Sequence, residues 1–158
     1  LITVLSIPRS GTRFYLYFAK FVLGLDARYV HFFSENIGKL NDVLTSDDVI
    51  IYPVRAYADI RKSYGDSEEF IARLDNEFIP VRDLMLPQLV KTGAHFMDIE
   101  KGPETYYQFS ELLSALNLRW TPEISRFVDN WEKIGSGYIL DDKSEKVIVA
   151  MNSTGGMN

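Results

Sequence analysis

The chain contains no cysteine. That excludes disulfides, thiolate nucleophiles, zinc–thiolate sites and iron–sulfur clusters together, and it fits a cytoplasmic location. Histidine is nearly as scarce: imidazole chemistry rests on His31 or His95 and nothing else. No apolar stretch is long enough to span a bilayer, and no signal peptide is visible. The phosphate-binding pattern of ATPases, G-x-x-x-x-G-K-[ST], occurs nowhere, and no set of side chains has a convincing metal-ligand spacing. Positive charge is also short. Lys and Arg number 17 against 22 Asp and Glu, a net charge of −5, which argues against a broad footprint on duplex nucleic acid. One anionic ligand held by a few local groups remains compatible, because backbone donors and arginines act over short range.

What is present is the composition of a single globular domain over 1–158, 46% hydrophobic and 13% aromatic, long enough for one sizeable core. The chain opens on Leu1 and not on Met, already inside a strand-like run, which leaves open whether a few leading residues, such as a targeting segment, precede it. Leu1–Ile7 is an apolar run bounded by Pro8 and Gly11 and reads as a buried strand. Apolar residues at helical spacing then run from Thr12 to about Leu23. Arg28–Phe33 and Asp48–Val54 are further strands, with Pro53 marking a sheet terminus or bulge, and Ser34 is placed to cap a helix towards Leu44. A helix follows from Ala56 to Tyr64. Ser67 opens a long helical stretch towards Thr92 that Pro80 and Pro87 should kink or break. His95–Asp98 is a fourth strand, and helices are expected over Pro103–Leu116 and from Thr121 to Asn130. Strands alternating with helices imply a parallel sheet with helices on both faces. Beyond Trp131 the pattern fades, leaving 131–158 as a poorly defined C-terminal segment with Val147–Met151 as a strand candidate.

The most informative segment is Pro8-Arg9-Ser10-Gly11-Thr12-Arg13, between the first strand and the first helix. Such a turn exposes backbone N–H groups at the positive end of a helix dipole. Gly11 permits close approach, Ser10 and Thr12 bring hydroxyls, and Arg9 and Arg13 bring charge. Together they suit a phosphate group, although a plain connection with solvated arginines would read the same way.

This segment resembles the 5′-phosphosulfate loop of sulfotransferases, Pro-Lys/Arg-Ser/Ala-Gly-Thr, except that Arg13 stands where a small hydroxyl or amide is usual. A second stretch resembles the same family more specifically. After the strand DVIIYPV, Arg55, Asp59, Ser63 and Tyr64 stand at the spacing of the residues that hold the ribose 3′-phosphate. An Arg at a strand's C-terminal end faces the crevice where such folds bind ligands, and its fork suits phosphate. His95–Glu100 with Leu116-Asn117-Leu118 is similar to another family passage, and Arg28–Phe33 to the Lys-Glu-x-His-Phe-Phe strand of heparan-type members. The resemblance covers roughly Leu1 to Asn130.

It implies a three-layer α/β fold, a short parallel sheet flanked by helices with P-loop NTPase-like topology. It further implies a sulfuryl donor, 3′-phosphoadenosine 5′-phosphosulfate, bound without metal by Arg9, Ser10, Gly11, Thr12, Arg13, Arg55 and Ser63, and a small-molecule or glycan acceptor. Lys133 joins the set through Glu132–Gly137, a partial echo of the family's closing Arg-Lys-Gly-x-x-Gly loop. Arg9 and the helix N-terminus would steady the leaving phosphate oxygen. In the heparan-type pattern the base is a Glu two residues before the His; here that place holds Tyr29, and a tyrosine ordinarily makes a poor base. His31 is the next candidate, since other sulfotransferases use a His and its ordinary pKa suits the task, with Glu35 in reserve. A structural His31 in its Phe-rich strand is an equal alternative, and His95 reads as structural. Three functions follow: an active sulfotransferase, a degenerate donor-binding module, or a small-molecule or nucleotide kinase. The last is disfavoured by the missing phosphate-loop Lys and magnesium-binding Asp. The aromatic residues between Phe14 and Phe33 read as core more readily than as an acceptor surface.

Overall fold

A computed structural model describes residues 1–98, 100–101 and 103–130. Lys133 and the strand expected at Val147–Met151 lie outside the described residues. Strand β1 (Ile2–Ser6) is buried at every position, as a run without polar alternation requires. It lies between β2 (Ala27–His31) and β3 (Val49–Pro53), and β4 (His95–Met97) pairs beyond β3, giving an all-parallel sheet of order β2-β1-β3-β4. Pro53 is the last residue of β3, where its missing N–H breaks no further ladder bond.

Side-chain alternation along the strands sorts the core into two layers. Ile2, Val4, Ile51 and Met97 pack against α1 (Thr12–Tyr17) with its π-helical continuation Phe18–Val22, α6 (Glu104–Ala115) and α7 (Pro122–Asp129). Leu5, Val30, Ile50 and Tyr52 pack against α2 (Ile37–Leu44), α3 (Tyr57–Ser63) and α5 (Ile79–Lys91). The fold is therefore α/β, with helices on both faces of a four-stranded parallel sheet. Phe14, Tyr15, Tyr17 and Phe18 are all buried in the first layer, so most of the aromatic run after the loop is core. Their rings meet Phe109 and Phe127 edge-on, tilted or, for Tyr17 on Phe127, stacked, with Phe18–Phe109 centroids 4.8 Å apart.

Two expectations change. The stretch from Ser67 does not break at its prolines. Helix α4 (Glu68–Arg73) passes through a π-helical turn, Leu74–Phe78, straight into α5. Pro80 sits in the first turn of α5, where the wider π turn before it absorbs the missing donor and the ring. Ser34 caps no helix. It begins a 3-10 turn, Ser34–Asn36, and both its N–H and its hydroxyl donate to the Glu77 carboxylate, at 2.8 and 2.9 Å. A carboxylate offers a charge-assisted partner that the turn's own backbone does not. Ser67 and Thr121 do cap their helices, accepting from the N–H groups of Phe70 and Ile124.

Candidate phosphate-binding site

The β1–α1 turn owes its shape to two residues with positive φ, Arg9 at 72° and Gly11 at 114°. A Cβ on Gly11 would meet the Tyr15 ring and Pro53 at ordinary contact distances of 3.5 and 3.6 Å, so backbone conformation, rather than space, calls for glycine. Arg9 has no such freedom and occupies a region that non-glycine residues rarely adopt. Long-range bonds hold it there. Arg55, just past β3, donates to the Arg9 carbonyl at 2.6 Å, and the Tyr64 hydroxyl donates to the Pro8 carbonyl at 2.7 Å. Ser10 donates both its N–H (3.2 Å) and its hydroxyl (2.6 Å) to the Ile7 carbonyl. With its carbonyls engaged from behind, the turn leaves the N–H groups of Gly11, Thr12 and Arg13 without a backbone acceptor among the described residues. Such a row of donors, at the start of a helix and beside three arginines, is suited to an anion. Arg9, Arg13 and Arg55 form no ion pair among the described residues.

No family model, curated protein or solved structure matches this chain.

His31 ends β2 in register with Ser6 at the end of β1. Its Nδ1 lies 3.1 Å from the Ser6 carbonyl oxygen and 3.2 Å from the Ser6 hydroxyl. A carbonyl oxygen only accepts, so Nδ1 carries the proton and the neutral ring keeps its lone pair on Nε2. The Ser6 hydroxyl is also 2.7 Å from the Thr12 hydroxyl. A chain of three groups therefore joins the imidazole to the first residue of α1. Burial pushes the His31 pKa below its ordinary value, the Ser6 carbonyl opposes this, and Arg13 adds a smaller lowering. Tyr29 and Phe33 flank the ring, at centroid distances of 4.9 and 5.2 Å. Tyr29 is half exposed, and Glu35 lies on the exposed 3-10 turn.

The expected site residues thus separate into groups. Arg9, Ser10, Gly11, Thr12, Arg13 and Arg55 share one place. The Ser63 hydroxyl is folded back on its own helix, donating to the Ile60 carbonyl at 2.6 Å, while its neighbour Tyr64 reaches the turn. Burial raises the Tyr64 pKa to about 12, which keeps it a donor. His95 begins β4 and is half-buried, with burial lowering its pKa and Glu111 opposing. Ser6 escaped the sequence reading, although a serine ending an apolar strand beside a glycine turn is a usable signal. Tyr52 and Arg82 also escaped. They line a cavity of about 80 Å³ under the turn together with Ser10, Arg55 and Tyr57. A larger, shallower groove of about 370 Å³, bounded by Ser34, Glu77, Pro80 and Leu84, includes no residue of the turn. No helix among the described residues is long and apolar enough to cross a membrane, and no cluster of three His, Asp or Glu gathers among them.

Proposed function

We propose that this chain binds 3′-phosphoadenosine 5′-phosphosulfate on the β1–α1 turn, within a P-loop NTPase-like topology, and transfers its sulfuryl group to a hydroxyl or amine of a small-molecule or glycan acceptor. One observation carries the reading. The two segments that resemble sulfotransferase motifs lie 46 and 56 residues apart in their bonded pairs, yet Arg55 and Tyr64 of the second both bond the backbone of the first. Neighbouring parallel strands bring the two segments together in any case; what favours the reading is that residues at the family's spacing, Arg55 and Tyr64, make the bonds.

In this reading the N–H groups of Gly11, Thr12 and Arg13 hold the 5′-phosphosulfate, and Arg55 faces the 3′-phosphate. His31 Nε2 takes the proton from the acceptor as its oxygen or nitrogen attacks sulfur. The bond from sulfur to the bridging phosphate oxygen breaks, and Arg9 with the turn stabilises the charge on that oxygen. The low pKa of His31 keeps it unprotonated and ready at neutral pH.

Calorimetric titration with 3′-phosphoadenosine 5′-phosphate, without metal, tests the reading. The wild type should bind, and Arg55→Ala should lose about ten- to a hundredfold, the worth of a charge-assisted contact. Absence of binding to the wild type would sink the proposal. The second reading, a donor-binding module without turnover, is favoured by Tyr29 in the place of the heparan-type Glu. His31→Ala separates the two: nucleotide binding persists in both, and only an enzyme has transfer to lose.

A further inference from the structure

We infer that the cavity beneath the turn is a second anion subsite, in which Arg55 and Arg82 seat a phosphate- or sulfate-ester group. Its volume of about 80 Å³ is the room of two or three waters, on the scale of one tetrahedral oxyanion. Ser10, Tyr52, Arg55, Tyr57 and Arg82 form its polar lining, and no carboxylate is among the lining residues. Two arginines therefore line one small space, with no carboxylate-bearing residue among its walls.

The surrounding bonds orient both groups and leave donors over. Arg55 commits one nitrogen to the Arg9 carbonyl. Arg82 gives Nε to Asp83 at 2.7 Å and one terminal nitrogen to the Tyr52 hydroxyl at 3.0 Å, which leaves its other terminal nitrogen uncommitted in these bonds. Asp83 itself is more than half exposed and outside the lining, so it fixes the guanidinium from the solvent side. An oxyanion between two pre-oriented guanidinium forks answers both the charge and the unused donors. The walls of Ile7, Ile60 and Leu74 belong to the second core layer, so the pocket is held by packing that exists without a ligand.

The group could be the 3′-phosphate of the proposed donor or an independent anion. Identification with the donor rests on the reading above; the subsite does not. Thermal-shift titration with inorganic sulfate, and calorimetry with 3′-phosphoadenosine 5′-phosphate and adenosine 5′-phosphate, would be run on the wild type, Arg82→Gln and Asp83→Asn. Arg82→Gln should weaken the probe that fills the pocket by about tenfold, the loss of one charged contact. If only the 3′-phosphorylated nucleotide weakens, the pocket takes the 3′-phosphate. If only sulfate weakens, it takes an independent anion. Asp83→Asn removes an exposed neutralising charge and should tighten the same probe about twofold, so the sign survives even if Arg82→Gln fails to fold. A folded Arg82→Gln binding all three probes like wild type, or an Asp83→Asn with unchanged or weaker binding, would overturn the inference. Wild type that binds sulfate in an Arg82-dependent way and neither nucleotide would end the donor reading and leave the subsite standing.

Discussion

At the scale of single residues, the molecule depends on side chains spent on backbone carbonyls. Arg9 keeps its left-handed φ of 72° because Arg55 holds its carbonyl, and Ser10 fixes the turn by donating twice to Ile7. His31 follows the same rule, giving its Nδ1 proton to Ser6. The consequence is measurable by nitrogen-15 NMR. The neutral ring should show the Nδ1–H tautomer, and its titration midpoint should fall below the ordinary 6.5, because burial penalises the charged form. Since the folded pKa is lowered, the neutral ring's contribution to stability is present above 6.5 and lost as pH falls through the folded value. Ser6→Ala keeps the carbonyl partner but removes the hydroxyl, cutting the link to Thr12 without changing the tautomer. An Nε2–H tautomer, or a midpoint above 6.5, would refute this geometry.

At the scale of elements, the long helical stretch is tied to the end of β2 by one carboxylate. Glu77 accepts from Arg73 at 2.8 Å and from Ser34 twice, and the Arg73 guanidinium lies over the rings of Phe33 and Phe78, 4.8 and 5.0 Å from their centroids. The Arg73 hydrogen bond above all, helped by the two Ser34 donors, pulls the Glu77 pKa from 4.5 to about 2, against the opposing effect of burial. A depressed carboxylate stabilises the fold above its unfolded pKa and loses that contribution as pH falls from about 4.5 towards 2. Chemical denaturation across this window should show stability dropping in the wild type and staying flatter in Glu77→Gln, which starts lower at neutral pH. Parallel profiles would remove Glu77 from the account of acid sensitivity. The π turn that carries Glu77 also shows why Pro80 does not end this stretch. At Pro80 the ladder is already widened by that turn; Pro87 lies further along, inside α5, with no such turn directly before it.

At the scale of the whole molecule, the two faces of one sheet are covered by separate layers, each mixing aromatic and aliphatic side chains, and each layer depends on helices from distant parts of the chain. Phe109 and Phe127 are fully buried where α6 and α7 meet the π-helical end of α1. Truncating either to alanine should cost about 3–5 kcal/mol, a large share of a domain's total stability. Leu84, mostly exposed on α5, should change it by less than about 0.5 kcal/mol as Leu84→Ala. Urea unfolding compares them directly, and equal losses from Phe127→Ala and Leu84→Ala would contradict the layer assignment.

Local pattern alone determined the order of strands and helices in 1–130, the buried character of β1 and β3, and the glycine turn between β1 and α1. Each follows from short-range causes: apolar runs that must be covered, helical periodicity, and residues with restricted or unusual φ. It also named Arg9, Gly11, Thr12 and Arg55 as one site, through spacing and a resemblance. Only the tertiary structure decided that β1 lies between β2 and β3, that Ser6 meets His31, that Tyr64 rather than the Ser63 hydroxyl bonds the turn, and that Arg82 stands over the same cavity as Arg55. Those contacts join residues 25 to 56 positions apart, or depend on which way a helix is rolled against the sheet. Their causes are strand register and the packing of α3 and α5 on the second core layer, which no local window of sequence contains.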